Sequence, residues 1–282
     1  MQSLSNFSSR RSALTALLAG SLVRPAVIPV PAASRAKPIS LQVLCWNMHH
    51  GRGTDNRIDL PRQAAVITAT KADIVALQEV DQRTARSGGV NQAAELARLT
   101  GLHGWFAHQL DFEGGRYGQA LLSRWSLDGG TVHWLPGRPD RERRIAGSAI
   151  VQHPQLPFRF ITTHLHHNNA DFRLEQAREL ARLSQQFCET SSLPIIAAGD
   201  LNATPDSPPV QALQTVLTPV VSTSGPLLTF PVDQPARQID YILYAAAKAT
   251  VATVGVRVLP EQIASDHRPL LASLHLLPAD QD

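Results

Sequence analysis

Six short segments end an apolar run in residues that hold metals or move protons. They are Cys45-Trp46-Asn47, Leu77-Gln78-Glu79, Thr163-His164-Leu165-His166, Gly199-Asp200-Leu201-Asn202, Gln238-Ile239-Asp240-Tyr241 and Ser265-Asp266-His267. One polar residue at a strand end costs nothing if it faces water, so each segment alone has a plain structural explanation. As a set they supply carboxylates, amides and histidines, which suits a hard-cation hydrolytic site. Glu79 follows the buried-looking run from Ile74 to Gln78, where a strand would emerge, and Asn47 would lie beside it if the first two strands are neighbours. In extended chain Asp200 and Asn202 point the same way. The carboxylate could then orient or deprotonate a water while the amide binds phosphoryl oxygens; an Asx-turn is the other explanation for Asn202. His267 can act as general base near neutral pH if a partner fixes its tautomer, and Asp240 is the candidate, leaving Asp266 to face the metal. Alternation also sends His164 and His166 to one side, so a His-x-His zinc arm competes. The carboxylates and amides elsewhere suit Mg²⁺ or Mn²⁺ better. His49 and His50 read as loop histidines at the rim.

The elements that must carry these groups alternate. Leu41 to Trp46 and Ile74 to Gln78 read as strands flanking a helix with Asp59 as N-cap and Pro61 in its first turn. A second helix, from Ala93 to Leu99, is stopped by Gly101. Strand-like runs at 105–108, 117–123, 132–135, 146–151 and 158–163 follow, joined by Gly- and Pro-rich turns, as in hairpins. A long helix over about 171–187 precedes a strand at 195–198, a Pro-rich loop at 205–209, and strands at 239–244, 251–258 and 270–274. Helical crossovers mixed with hairpins predict an α/β fold, a four-layer α/β sandwich of two mixed β-sheets packed face to face with helices outside. No G-x-G-x-x-G or P-loop occurs, which argues against a dinucleotide fold.

The formal charge of +3 over 282 residues misleads. Residues 1–36 carry Arg10, Arg11, Arg24 and Arg35 and no acid or lysine; without them 22 basic groups face 23 acidic ones. The basicity belongs to a leader, Ser9-Arg10-Arg11-Ser12-Ala13-Leu14 and an apolar stretch to Val23, which resembles a twin-arginine export signal with a cleavage site near Ser34 and Ala36. Residues 37–282 are then one catalytic domain, periplasmic or secreted and expected to be monomeric. That apolar run is short for a bilayer, and no other stretch is long and apolar enough to span one. A remainder this close to neutral, with no Lys/Arg run interleaved with aromatics, does not fit a general nucleic-acid coater. Cys45 and Cys188 are too few for a disulfide framework and read as separate thiols.

In order and over residues 40–276, these segments resemble the endonuclease/exonuclease/phosphatase superfamily, whose members look like deoxyribonuclease I and the neutral sphingomyelinases. The resemblance implies metal-dependent cleavage of a P–O bond by in-line water attack. It implies Asn47, Glu79 and Asp266 as metal residues and His164 as a contact to the scissile phosphate. Asp200 and Asn202 would position nucleophile and phosphoryl group, with His267 paired to Asp240 as general base. The runs Trp46 to Gly53 and Gly114 to Arg124 are similar to a branch that includes the luminal domain of a glycosylphosphatidylinositol-remodelling protein. Gln119 stands where that branch more often has Asn. Arg116 and Tyr117 are then expected to line the substrate cleft, with Asp55, Asp59 and the 86–91 segment forming specificity loops. The expected substrate is a small or lipid-derived phosphodiester, with nucleic acid as the alternative. A non-catalytic binding module would have shed acidic ligands, and here Glu79, Asp200, Asp240 and Asp266 are all present.

Overall fold

A computed structural model describes residues 38–138 and 142–278, so the expected export leader lies outside the described residues. The order of elements is set by one repeated device. A strand, a crossover helix and a parallel strand occur once in each of two six-stranded sheets. In the first sheet β1 (Ile39–Asn47) leads through α1 (Leu60–Thr70) to β2 (Ile74–Gln82). After α2 (Gln92–Thr100), the hairpin of β3 (His103–Phe112) and β4 (Gly115–Ser123) extends that sheet antiparallel beside β2. The second sheet begins with β5 (Leu127–Trp134), β6 (Ile145–Val151) and β7 (Phe158–His164), and crosses through α3 (Ala170–Thr190) to β8 (Ile195–Asp200). It is completed by α4 (Pro208–Gln214), β9 (Thr218–Pro219) and β10 (Asp240–Ala245). The chain then returns to the first sheet as β11 (Thr250–Val258) and β12 (Leu270–Leu277), with β12 antiparallel to β1. The strand orders are β11-β12-β1-β2-β4-β3 and β5-β6-β7-β8-β10-β9.

Both faces of the central strands are buried, which explains their continuous apolar runs. On β1, Leu41, Val43 and Cys45 enter the core between the sheets, where they join Phe158, Phe160 and Leu274. Leu44 and Trp46 point the other way, into a layer under α1 and α2 with Leu60, Ile67 and Leu96. A third cluster packs α3 and α4 on the outer face of the second sheet through Leu180, Leu183, Val210 and Leu213. Each large apolar side chain buried completely contributes roughly 1.5–3 kcal/mol, so the three layers together fix the sandwich. Helix starts follow the local chemistry. Asp59 caps α1 by accepting from the Arg62 amide at 2.9 Å, and Asn169 caps α3 through the Phe172 amide at 2.9 Å. Gly101 ends α2 in the left-handed conformation, φ 71°.

Two local expectations are corrected. The proline-rich stretch is no loop throughout: Pro208 and Pro209 occupy the first turn of α4 behind Ser207, where a missing N–H breaks no helical bond. β2 also does not stop before Glu79; it runs on to Gln82 through a bulge. Among the described residues no helix is long and apolar enough to cross a membrane. Cys45 is buried and Cys188 half-buried, both as free thiols.

Candidate active site

The two parallel pairs end at the same rim. Asn47 closes β1 opposite Gln78, and His164 closes β7 opposite Asp200. β10 starts there from the other direction, with Asp240 opposite Asp200. β12 pairs Leu270 with Cys45, so His267 is delivered to the same end three residues earlier. Carboxyl ends of parallel strands are where crevices form in α/β sheets, because the crossover chains diverge there.

Side chains from both sheets meet across this rim. The Asn47 amide nitrogen donates to Glu79 Oε1 at 3.0 Å, and to Asp200 Oδ2 at 3.2 Å on the opposite sheet. Asp200 Oδ2 also lies 3.4 Å from His164 Nε2 and 3.8 Å from His267 Nε2. His267 Nδ1 is 2.8 Å from Asp240 Oδ2, with both residues buried. The other Asp240 oxygen, Oδ1, is buried with no hydrogen-bond partner among the described residues. Burial and the neighbouring Asp240 charge push the Asp200 carboxyl upward, only partly opposed by His267. Burial works against a charged His267, yet Asp240, by charge and hydrogen bond, raises it well above the usual imidazole range. Desolvation and the Arg144 charge hold His164 neutral, its pKa well below the ordinary value.

Glu79 occupies a position the alternation of β2 does not foretell. The register against β4 shifts between Leu77 and Val80, and Glu79 takes φ 57° inside that bulge. A left-handed non-glycine residue in a strand stores strain of order 1 kcal/mol or more, and bulges re-aim a side chain. Burial disfavours the Glu79 charge, but the His50 ring, His164 and the Asn47 amide outweigh it and hold the carboxyl far below its usual range. His50, read from sequence as a loop residue, is buried here with Nδ1 3.9 Å from Glu79 Oε2. The turn that folds it back needs Gly51, at φ 87°, and that glycine was the available signal. Asp266 stands at the edge of the group, its Oδ1 lying 3.8 Å from His49 Nδ1 and 3.3 Å from the Ser265 hydroxyl, which donates to Asn47 O at 2.7 Å.

The remaining expected residues divide. Asn202 does not continue an extended strand: φ is 48°, and its amide N–H donates to Asp200 Oδ1 at 2.8 Å in an Asx-turn. Its side-chain nitrogen donates to Leu165 O at 3.1 Å, which leaves one N–H for another partner. Tyr117 lines a cavity of about 300 Å³ together with His49, His50, Glu79 and Arg86. Arg116, on the other face of β4, lines a different cavity with Arg83, Asn91 and Glu113 and is not brought to this site. His166 stacks on His167, ring centroids 5.6 Å apart, and packs against Phe172 of α3.

The sequence from residue 44 to 267 matches the model of the Endonuclease/Exonuclease/phosphatase family, which covers most of the chain and every residue from Asn47 to His267 discussed above. The chain belongs to that family. This endonuclease/exonuclease/phosphatase family member is similar in structure to an endonuclease/exonuclease/phosphatase from Beutenbergia cavernae, at 25% identity and a TM-score of 0.72, over 85% of this chain and 72% of that one. It shares its fold with a mannosyl-6-phosphatase of Bacteroides thetaiotaomicron, at 18% identity and TM-score 0.69, over 84% and 99% of the two chains. The human Nocturnin catalytic domain superposes with TM-score 0.66 at 21% identity, over 84% of this chain and 94% of that one. A comparison with curated protein sequences finds no match.

Family members are phosphoester hydrolases that use divalent metals, and the residues at the rim fit such an ion. His49, His50 and Glu79 bring one ligand atom each within 4.8 Å of one another. Among the described residues His50 Nδ1 is buried without a hydrogen-bond partner, beside a carboxylate that stays ionised, a donor set a divalent cation would satisfy. A second group, Asp200, Asp240 and His267, converges equally closely.

Proposed function

We propose that the protein is a divalent-metal-dependent phosphodiesterase acting on a small or lipid-derived substrate after export. The observation that carries this reading is the buried Asp240–His267 pair, whose free Nε2 faces Asp200 and the Asn47–Glu79 pair across the rim. Glu79, Asn47 and Asp266 would hold Mg²⁺ or Mn²⁺, with the His49 and His50 rings beside them. When bound, the ion would stabilise the charge that develops on the phosphoryl and leaving oxygens.

This chain's own groups then divide the work. Asp200 and His267 hold the attacking water between them, and its proton passes to His267 Nε2 as the new P–O bond forms. Asp240 keeps one imidazole proton on Nδ1, so that Nε2 is the nitrogen that accepts when the ring is neutral; the raised pKa of His267 makes that neutral fraction grow toward alkaline pH. His164 and the second N–H of Asn202 meet the phosphoryl oxygens. The P–O bond to the alcohol breaks; the departing oxygen takes a proton from solvent water and leaves as the free alcohol, and His267 returns its proton to solvent. A neutral balance of 22 basic against 23 acidic groups beyond residue 36 supports a compact substrate over a long anionic strand.

The test is turnover of supercoiled plasmid, a phospholipid or inositol phosphodiester, and matched phosphomonoesters, each with Mg²⁺ or EDTA. Metal-dependent cleavage of the small or lipid diester with plasmid intact is expected. Rapid plasmid nicking would make the protein a nuclease on the same residues, and silence on every substrate would leave a binding module.

A further inference from the structure

The cavity of about 300 Å³ beside Glu79 is built from unlike parts. One wall is aromatic: the Arg86 guanidinium lies 4.6 Å above the Phe112 ring and 5.5 Å from the Tyr117 ring. Arg86 is not free to swing, because Nε and Nη2 each hold an oxygen of the fully buried Asp81 at 2.8 Å. Asp81 is itself fixed by the Thr84 hydroxyl at 2.7 Å. The segment carrying Arg86 is thus tied to the end of β2 and roofs the cavity. Its charge is already balanced by Asp81, so it adds hydrogen-bond donors to the cavity more than net charge.

The other walls are polar and of both kinds. Glu142 faces the cavity; its Oε1 accepts from Gln109 at 2.7 Å and lies 3.5 Å from the Arg144 guanidinium, and Oε2 has no partner among the described residues. Burial and the nearby Glu79 charge keep the Tyr117 phenol protonated well above its usual range, so it can donate as well as accept. His50 Nδ1 is buried and unpartnered on the Glu79 side. Donors and acceptors interleaved around a small volume match groups that do both, and hydroxyl is such a group. A nucleobase would stack on an aromatic face, and here the Arg86 guanidinium takes one face of Phe112 and lies 5.5 Å from the Tyr117 ring. An acyl chain would meet only Leu110 and Phe112 as apolar surface.

We propose that this cavity receives the alcohol portion of the substrate and selects a ring bearing several hydroxyl groups, a sugar or an inositol. Tyr117, Glu142 and Arg86 are its specificity-determining residues. The inference rests on the hydrolase reading above for its placement next to the scissile bond. It does not depend on turnover for its test.

Titration calorimetry on the full chain with Mg²⁺ compares glucose 1-phosphate, inositol 1-phosphate, cyclohexyl phosphate and thymidine 5′-monophosphate. The two polyol phosphates are expected to bind at least about tenfold tighter than cyclohexyl phosphate, whose ring is of the same size without hydroxyls. The order of glucose and inositol phosphates then names the source of the ring. Glu142→Gln, at a surface-accessible position, and Tyr117→Phe, which keeps the ring, should each shrink that ratio toward one. Equal binding of cyclohexyl and polyol phosphates overturns the inference, and so does tighter binding of the nucleotide. Selective binding with no hydrolysis of any diester would keep the cavity's assignment and remove the proposed activity. Hydrolysis without selectivity would do the reverse.

Discussion

Replacing Asp240 by Asn changes one atom type and tests the proton path directly. Asp240 Oδ2 accepts from His267 Nδ1 at 2.8 Å, while Oδ1 has no partner to dictate which way an amide would face. An amide nitrogen turned toward Nδ1 would force the ring proton to Nε2, leaving nothing to accept the proton of the attacking water. An amide oxygen turned there would preserve the tautomer but not the charge that favours imidazolium. Loss of a buried charge-assisted hydrogen bond is worth about 1.5–3 kcal/mol, or roughly 10- to 150-fold in rate. Partition into the wrong tautomer multiplies this, and the same exchange in Ser-His-Asp hydrolases costs about 10⁴. The expected fall in kcat is therefore about 10²- to 10⁴-fold at saturating Mg²⁺ on a chromogenic phosphodiester. Near-UV circular dichroism and the denaturant midpoint check that the fold survives. A loss below about tenfold in a folded protein would refute the role given to this pair.

Glu79→Gln should abolish metal-dependent turnover while the protein stays folded, and EDTA should silence the wild type reversibly; activity that survives either would remove Glu79 from the site. Gly199→Ala should cost more than about 3 kcal/mol by denaturant titration, because a Cβ there would meet Thr163 O of the neighbouring strand at 2.1 Å. His153 is buried, its Nδ1 accepts from the Gln155 and Leu156 amides at 3.2 and 3.4 Å, and desolvation lowers its pKa despite Asp73. The unfolded chain binds that proton more readily. Stability from this group is therefore complete above about pH 6.5 and is lost as pH falls toward the lowered folded value. His153→Asn, which keeps an acceptor that does not titrate, should flatten urea stability over that window, and an unchanged slope would clear His153 of the effect.

Much of this site was readable because strand ends are a matter of pattern. Apolar runs that end in Asn47, His164 and Asp200, and one that begins just after His267, put each group at a rim, and topology brought the rims together. What stayed hidden was local backbone geometry. Glu79 reaches the site through a bulge inside β2, and no alternation in Ile74 to Gln82 encodes the extra residue. Asn202 turns back on Asp200 because the short Asp200 carboxylate captures the Asn202 backbone N–H, which extended spacing ignores. Arg116 and Tyr117 are neighbours in sequence but lie on opposite faces of one strand, so they line different cavities. The paired prolines at 208–209 read as a loop because proline breaks a helix everywhere except at its first turn.

The pairing of β1 with β12 has a bearing on how the molecule comes into being. Cys45 is matched to Leu270, so the centre of the first sheet is closed by a strand made more than two hundred residues later. Contacts of such separation are slow to form, since the loop's entropy is lost before they repay it. On the ribosome, β1 and β2 would wait with an unpaired flank until residues 250–277 emerge, and that stretch also carries His267. A nascent chain should therefore be silent until residues 250–277 have emerged, with a hydrophobic edge open to chaperones throughout that interval.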